Sequence, residues 1–508
     1  MERTHYYPQP SSLHQDLVSA FSEHLFSNLS WKQWEYMCKH HQQPIYRNEI
    51  NSVRNIFLAN HQSSALTSCT GAYLALNNFF EDILLTYIVC EAFGESPMQD
   101  GLYLWFKFSW DNRQLLGKNE AFSITPLNTT LPQSSIHVHN FCIAKCRERG
   151  QDLKPIVEEI GLNNFLSFFE SKTCAYQGME YFLRYIISAD WMGLVSELCM
   201  AYPNTANLEI DVCWGCGANK IHLRGGYFDA PFEYFEPTQN ISNFPNALLS
   251  SASILHRRYD WMHGVTNMLT NLLKDSFQIF LNNGGSKDTF NAILEDCLDR
   301  RIHKGGFKEK SSLTCREMKA FFHRKLHLSL PHIFNQPSLQ RKNPYPQPNN
   351  IPTLHSFADM LAFALDAIRY YCDLMYKPIP TPDEIQHLHI TRTTILSFYA
   401  GNRWRLPPTT HFMTNEALYF IELDKTAHIT LQEGVEHHNF DDMVQSTHTL
   451  QSAEHFLSHE SNWQMLLNNQ QLKLEAHKYN LTPINHSLLP GALQNLYANN
   501  TPLLLTKM

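Results

Sequence analysis

The sequence predicts a mainly α-helical protein of the α+β class, a helical multi-domain chain with two small β-hairpin insertions. At 508 residues the chain is longer than one compact core usually supports, which indicates more than one domain. Apolar residues recur mostly three or four positions apart, which is typical of amphipathic helices. Two short stretches alternate with period two instead, and this pattern indicates hairpins.

Composition divides the chain into a larger and a smaller part. Residues 1–13 are predicted to form a flexible tail, and residues 14–334 a helical domain with a hairpin near 207–228. The stretch 335–353 is rich in Pro, Asn and Gln and cannot bury a core, so it is predicted to be a linker. Residues 354–508 are predicted to be a C-terminal helical domain.

Helical spacing is strongest in three regions of the larger part. Residues 14–117 contain it, for example at Leu76, Phe79 and Ile83, and residues 152–201 return to it after a predicted loop at 118–136. Residues 246–282 are predicted to form one long helix, which the pair Gly284-Gly285 ends.

The two hairpins are predicted from alternation. Leu208, Ile210, Val212 and Trp214 alternate before a Gly/Asn-containing turn, which indicates the first hairpin. Alternation from Leu418 to Leu431 indicates the second, within the C-terminal domain.

Composition excludes several classes of protein. Charged residues make up only 17% and the formal net charge is −8, so nucleic-acid binding is not expected. No run of about 20 apolar residues predicts a membrane span. The residues after Met1 contain no apolar segment of the kind found in secretory signals. We therefore expect a soluble, intracellular protein whose cysteines are free thiols. The expected location is the cytoplasm, or a host cytosol reached through a specialised secretion system.

The predicted helix 246–282 carries the candidate catalytic residues. His256, Asp260 and His263 follow one another at i, i+4 and i+7, so they would share one helix face. Two imidazoles and a carboxylate can bind a metal, or act as a base with a carboxylate that orients it. The alternative is a polar helix face without function.

Cysteine and histidine spacing indicates a metal site, with zinc or another divalent metal as the possible cofactor. Cys213 and Cys216 form a C-x2-C pair at the predicted hairpin turn, a shape that presents two thiolates to Zn²⁺. A closed site needs two further ligands, for which His222 is a nearby candidate. A second compact group of candidate ligands consists of His137, His139, Cys142 and Cys146. These residues would either complete the site at Cys213 and Cys216 or form a separate metal site. The alternative is a pair of buried thiols beside a turn.

A locally basic segment is a candidate anion site. Its cations lie close together in an acidic chain, so they can attract phosphate or another anion. The residues predicted to bind an anion are Arg300, Arg301, Lys304, Lys308 and Lys310. The alternative is a solvated, exposed surface.

Two hypotheses about function follow, and the sequence leaves open whether the protein is an enzyme. The first is a metal-assisted hydrolase or group transferase with its site on the 246–282 helix, acting on a small-molecule substrate, in a bacterial effector delivered into a host cell. The second is a non-enzymatic helical scaffold that docks an unknown protein partner through the basic segment and a neighbouring aromatic loop.

Overall fold

The fold described here is that of a computed structural model. It describes residues 63–89, 92–98, 100–113, 119–129, 137–200, 213–219, 223, 240–298, 307, 313–335, 339, 354–402 and 404–436. These residues form two compact units. The first takes the described residues within Met1–Ser96, Asp100–Tyr185 and Gly434–Met508, and the second those within Pro97–Gln99 and Ile186–Glu433.

Eight described strands form one sheet. They are β1 (Ser64–Ala65), β2 (Gly71–Tyr73), β3 (Tyr103–Arg113), β4 (Asn119–Pro126), β5 (His139–Ala144), β6 (Thr173–Tyr176), β7 (Met179–Ala189) and β8 (Arg257–Tyr259). Their order is β1-β2-β5-β4-β3-β7-β6, and β8 pairs with β7. The pairs β1–β2, β2–β5, β3–β4, β4–β5 and β6–β7 are antiparallel, whereas β8 runs parallel to the end of β7.

Twelve described α-helices accompany the sheet. They are α1 (Leu76–Val89), α2 (Gly150–Glu159), α3 (Leu162–Phe169), α4 (Trp191–Glu197), α5 (Trp261–Asn282), α6 (Lys287–Leu298), α7 (Cys315–His323), α8 (Leu326–His332), α9 (Leu354–Met375), α10 (Pro382–Gly401), α11 (Pro408–Thr414) and α12 (Glu416–Asp424).

The core of the first unit is an aromatic cluster between the sheet and two helices. Phe80 of α1 lies 5.0 Å from both Phe106 of β3 and Phe169 of α3, measured between ring centroids. Phe108 of β3 lies 5.6 Å from Phe169 in an edge-to-face arrangement. Such aromatic pairs favour edge contacts because the ring edge is positive and the ring face is negative. This cluster fixes α1 and α3 against one face of the sheet.

The second unit is built around α5 and the short strand that precedes it. Arg257 of β8 forms a buried ion pair with Glu197 at the end of α4, and Arg258 forms one with Asp424 at the end of α12. Gly264 of α5 lacks a side chain where Met413 of α11 packs, since a β-carbon there would lie 2.3 Å from the Met413 sulfur. The strand and the glycine therefore bring α11 and α12 close to the start of α5.

The prediction of a mainly helical protein with two hairpin insertions is wrong. The chain has a mixed α/β fold with a large sheet. Strand β3 lies where helix was predicted within 14–117, β4 lies in the predicted loop 118–136, and β6 and β7 lie within 152–201.

Burial explains this error. In β7 the five residues Leu183, Tyr185, Ile186, Ile187 and Ser188 are all buried, and in β3 even Lys107 and Ser109 are buried. A strand that is buried on both faces lacks the polar alternation of a half-exposed strand, so its period does not distinguish it from a buried helix. Aromatic and β-branched enrichment was the remaining signal for a strand.

The predicted second hairpin is a helix instead. Residues 416–424 form α12, and a short 3₁₀ turn follows at His428–Thr430. The buried positions of α12 include Ala417, Phe420 and Asp424, spaced three and four apart, so the alternation at Leu418 and Phe420 was coincidental. Of the first hairpin, residues 214–216 form a turn, and the stretches before Cys213 and directly after Asn219 lie outside the described residues.

The predicted long helix 246–282 begins later than expected. Asp260 accepts a hydrogen bond from the Met262 amide at 3.0 Å and caps α5, which starts at Trp261. Residues upstream form a 3₁₀ turn at Ile254–His256 and strand β8. The helix start is therefore set by a local cap.

The predicted domain boundaries stay a prediction. The described residues immediately before and after the predicted linker 335–353 belong to the same compact unit, where α8 packs against α9. Apart from Asn335 and Leu339, the linker lies outside the described residues, as do residues 1–13 and 437–508.

Candidate metal centre

A tight turn presents the sulfurs of Cys213 and Cys216 to the interior of the second unit. The Cys213 amide donates to the Ala218 carbonyl at 3.1 Å, and the Gly217 amide donates to the Cys213 carbonyl at 3.0 Å. Gly217 has φ of 73°, a left-handed conformation that glycine adopts at little cost. These two hydrogen bonds close the loop around the C-x2-C pair, so both sulfurs belong to one compact turn.

Helices α11 and α12 supply two further metal-ligating side chains. Asn415 separates the two helices with φ of −127° and ψ of −82°, which lies outside the helical region and changes the chain direction. His411 on one side of this break and Glu416 on the other both reach the cysteine turn. The side chains of both residues are fully buried.

The four donor atoms converge on one point. Cys213 Sγ lies 2.9 Å from Glu416 Oε1, and Cys216 Sγ lies 3.3 Å from His411 Nε2. His411 Nε2 and Glu416 Oε1 are 3.6 Å apart, and all four donors lie within 4.8 Å of one another. A tetrahedral zinc site with sulfur, nitrogen and oxygen ligands has donor–donor separations of about 3.3 to 3.8 Å. The four side chains therefore fit a divalent metal with small adjustments.

Glu416 contacts the other donors through Oε1, and its second carboxylate oxygen takes no part in those contacts. Glu416 Oε2 is buried and has no hydrogen-bond partner among the described residues. A buried carboxylate oxygen without a partner is costly, because it gives up its contacts with water without replacement. A cation bound at Oε1 would neutralise the carboxylate charge and so lower the cost of burying this group.

Without a metal, protons hold the cluster together. Burial lowers the pKa of His411, but the Glu416 carboxylate and the Cys216 sulfur outweigh it and raise this pKa to about 10. Burial raises the pKa of Glu416, but His411 outweighs it and the net pKa is lowered. Burial raises the pKa of Cys213, whereas a hydrogen bond from Cys213 lowers that of Cys216. These directions favour a protonated imidazole beside an ionised carboxylate, and a divalent cation can take the place of protons among such groups.

Residues around the four donors hold them in place. Asn415 Nδ2 lies 3.1 Å from His411 Nδ1, and Arg392 of α10 donates to Asn415 Oδ1 at 2.8 Å. Such outer contacts orient a ligating imidazole. Trp214, inside the cysteine turn, is fully buried and lies 4.7 Å from Phe412 of α11 between ring centroids. The cysteine turn therefore contacts α11 in two ways, through the Trp214 ring and through the Cys216 sulfur.

The structure brings only part of the predicted metal set together. Cys213 and Cys216 lie in the four-residue cluster, and His222 lies outside the described residues. His137 and His139 point instead at the Tyr87 hydroxyl, at 2.7 Å and 3.2 Å, and burial lowers the pKa of His137 to about 3.

The two remaining cysteines of the predicted set belong to strand β5 and the loop after it. Cys142 is fully buried in β5, and Cys146 is partly exposed. Among the described residues, the only group of metal-ligating side chains that converges on one point is Cys213, Cys216, His411 and Glu416. Metal binding by His137, His139, Cys142 and Cys146 stays a prediction.

The predicted catalytic residues are divided between a 3₁₀ turn and the start of α5. His256 ends a 3₁₀ turn, where its Nδ1 accepts from the Ser253 amide at 3.0 Å. Asp260 caps α5 and hydrogen-bonds to Nδ1 of His263 in the first turn of that helix. Asp260 and His263 therefore form a pair, whereas Nδ1 of His256 contacts Ser253 within its own turn. The five predicted anion-binding residues all lie outside the described residues: Arg300, Arg301, Lys304, Lys308 and Lys310.

His411 and Glu416 are the residues that sequence reasoning missed. They lie about 195 residues beyond the cysteine pair, and the spacing H-x4-E is not a recognised metal motif. No local signal marks them, because the fold alone brings them to the turn.

Comparison with known proteins adds no family to this picture. No protein-family model matches the chain, and no curated protein matches it at a significant level. Among the described helices, none combines the length and the apolar character that crossing a bilayer requires.

Proposed function

We propose that this protein binds one zinc ion through Cys213, Cys216, His411 and Glu416, and that the ion fastens the cysteine turn to α11 and α12. The observation that carries the proposal is the convergence of four buried metal-ligating groups from two distant segments of the chain. Thiolate and imidazole ligands favour zinc or a similar transition metal over Mg²⁺ or Ca²⁺, which prefer oxygen ligands.

The donor set favours a structural role for the ion. Structural zinc sites are closed by four protein ligands, whereas catalytic sites keep a position for water or substrate. Here four protein groups are available, and only Cys216 is partly exposed. Zinc would thus stabilise the second unit by crosslinking segments that are distant in the sequence.

Elemental analysis of the purified full-length protein tests the proposal. We expect about one zinc per chain, as for a single closed site, and its loss in Cys216→Ser and in His411→Ala. Matched controls are Cys199→Ser, which changes an exposed cysteine, and His389→Ala, which changes a surface histidine paired with Glu422. Circular dichroism identifies any variant that fails to fold. Two results would contradict the proposal. One is that protein refolded in the presence of zinc contains none, and the other is that His411→Ala retains its zinc.

A second candidate function rests on the Asp260–His263 pair. The Asp260 carboxylate is fully buried, accepts from the Met262 and Gln432 amides, and hydrogen-bonds to His263 Nδ1, while the His263 side chain is 32% exposed. A carboxylate that orients a histidine in this way is the arrangement of a general base. This pair supports a hydrolase or group transferase that uses His263 Nε2.

A substrate screen tests the second candidate. Hydrolysis of ester, amide or phosphoester probes should fall at least about tenfold in His263→Ala, because general-base catalysis contributes 10² to 10⁴ in rate. His256→Ala is the control and should leave the rate unchanged. Equal rates in wild type and His263→Ala would exclude this role.

A further inference from the structure

We propose that the cysteine pair of the zinc centre is an oxidation site, at which a low-molecular-weight disulfide converts Cys213 and Cys216 into a disulfide and expels the zinc ion. This inference rests on the proposed zinc site and concerns its regulation. It draws on three features of the centre: the spacing of the two sulfurs, their unequal exposure, and the ligands that remain after oxidation.

The geometry of the turn suits a disulfide. Residues 214–216 form a turn, and the bond from the Gly217 amide to the Cys213 carbonyl keeps it tight. This hydrogen bond joins residues four apart, as in a single helical turn, in which the α-carbons of the first and fourth residues are about 5 Å apart. A disulfide requires about 4.4 to 6.8 Å between its α-carbons. Both sulfurs already lie within the 4.8 Å cluster, so a bond between them needs only side-chain rotation and a small backbone adjustment.

Exposure gives the two sulfurs different parts in the reaction. Cys216 is partly accessible, whereas Cys213 has no exposed surface. The Cys216 sulfur therefore attacks one sulfur of the external disulfide and releases the first small thiolate. The Cys213 sulfur then attacks Cys216 Sγ, forms the Cys213–Cys216 bond and releases the second thiolate. Two electrons pass from the protein sulfurs to the external disulfide, and zinc leaves as Zn²⁺ without a change of charge.

Oxidation removes half of the ligands at once. Only His411 and Glu416 would remain, and two protein ligands do not hold zinc against solvent and chelators. These two side chains lie 3.6 Å apart and can pair with each other in the interior. The other eight cysteines in the described part of the chain supply no ligand to this cluster, so their oxidation should leave the zinc in place.

The test uses reduced, zinc-loaded, full-length protein titrated with oxidised glutathione. A chromogenic chelator follows free zinc, and peptide mass spectrometry locates the disulfides. We expect bound zinc to fall from about one per chain to below about 0.1 as the Cys213–Cys216 disulfide forms. Reduction followed by added zinc should restore the starting state. Cys199→Ser is the matched control and should release zinc as the wild type does.

Each outcome decides a different point. Zinc that stays bound while other cysteines oxidise, or zinc that leaves without a Cys213–Cys216 bond, would overturn the oxidation proposal and leave the zinc site standing. Reduced protein that binds no zinc at all would overturn the zinc site, and the oxidation proposal with it.

Discussion

At Gly215, in the middle of the cysteine turn, the structure leaves no room for a β-carbon. A β-carbon at this position would lie 2.5 Å from Cγ of Glu416, well inside van der Waals contact. The glycine therefore allows the Glu416 carboxylate to approach the two cysteine sulfurs. Its role is to give space to a ligand from a distant helix.

Gly215→Ala should weaken zinc binding without removing a ligand. The new methyl group displaces Glu416, and disturbance of a ligand by its surroundings typically costs about 10- to 100-fold in metal affinity. Competition with a zinc chelator of known affinity measures the change. Gly94→Ala is the control, because nothing lies within 4 Å of a β-carbon there. Unchanged affinity in Gly215→Ala would contradict the role given to this glycine in positioning Glu416.

His137 should make the stability of the protein depend on pH. Burial lowers its pKa from 6.5 to about 3, so the unfolded chain takes up a proton at a pH where the folded chain does not. The stability that neutral His137 supports is present above pH 6.5 and is lost as the pH falls towards 3.

Between pH 7 and pH 5 this histidine should account for a loss of about 2 kcal/mol in the free energy of unfolding. Urea denaturation at both pH values measures the loss. The variant His137→Gln lacks the titrating group. Its free energy of unfolding should therefore fall by about 2 kcal/mol less than that of the wild type between the two pH values. An identical loss in both proteins would contradict the prediction.

Strand β8 is short, yet it links two helices through adjacent arginines. Arg257 donates to both carboxylate oxygens of Glu197, at 2.6 Å and 2.7 Å, and Arg258 binds Asp424 in the same two-pronged way. The Arg258 guanidinium also lies 4.2 Å from the centroid of the Phe420 ring in α12. The strand therefore anchors α12, and with it Glu416 at the start of that helix.

Arg258→Met should destabilise the second unit by about 3 to 5 kcal/mol, because it leaves the Asp424 carboxylate buried without its cation. The double variant Arg258→Met with Asp424→Leu removes both charges and should be more stable than Arg258→Met alone. Urea denaturation of the wild type, both single variants and the double variant gives the coupling between the two residues. Additive effects would show that the ion pair does not couple β8 to α12.

At the scale of the whole molecule, all four ligands of the proposed zinc centre lie within the second unit. A ligand that binds only the folded state stabilises it according to its concentration, by about 4 kcal/mol at a thousand times its dissociation constant. Because all four ligands belong to the second unit, removal of zinc should act there first.

Hydrogen–deuterium exchange with and without a strong chelator tests this expectation. Exchange should accelerate at residues 213–219 and in α11 and α12 when zinc is removed, since these segments lose their crosslink. Strands β3, β4 and β5 of the first unit serve as the internal reference and should change little. A uniform change over both units, or no change at all, would contradict a local structural role for the metal.

Sequence by itself determined the features that depend on near neighbours along the chain. The C-x2-C pair at a Gly-containing turn is one, because a turn and its two thiols are local. Helical stretches such as α5 and α9 are others, because three- and four-residue spacing survives wherever one face of a helix is exposed.

Tertiary structure alone decided the sheet and the metal ligands. The strands β3 and β7 are buried, so their patterns do not separate strand from helix. Each pairs with the strand next to it in the chain, β4 and β6 respectively, and the two pair with each other across a long sequence separation. His411 and Glu416 carry no local mark, and they reach the cysteine turn only because α11 and α12 pack against β8 and α5. Cys216 and His411 are 195 residues apart in the sequence, so their contact depends on tertiary packing. The spacing of residues along the chain does not predict that packing.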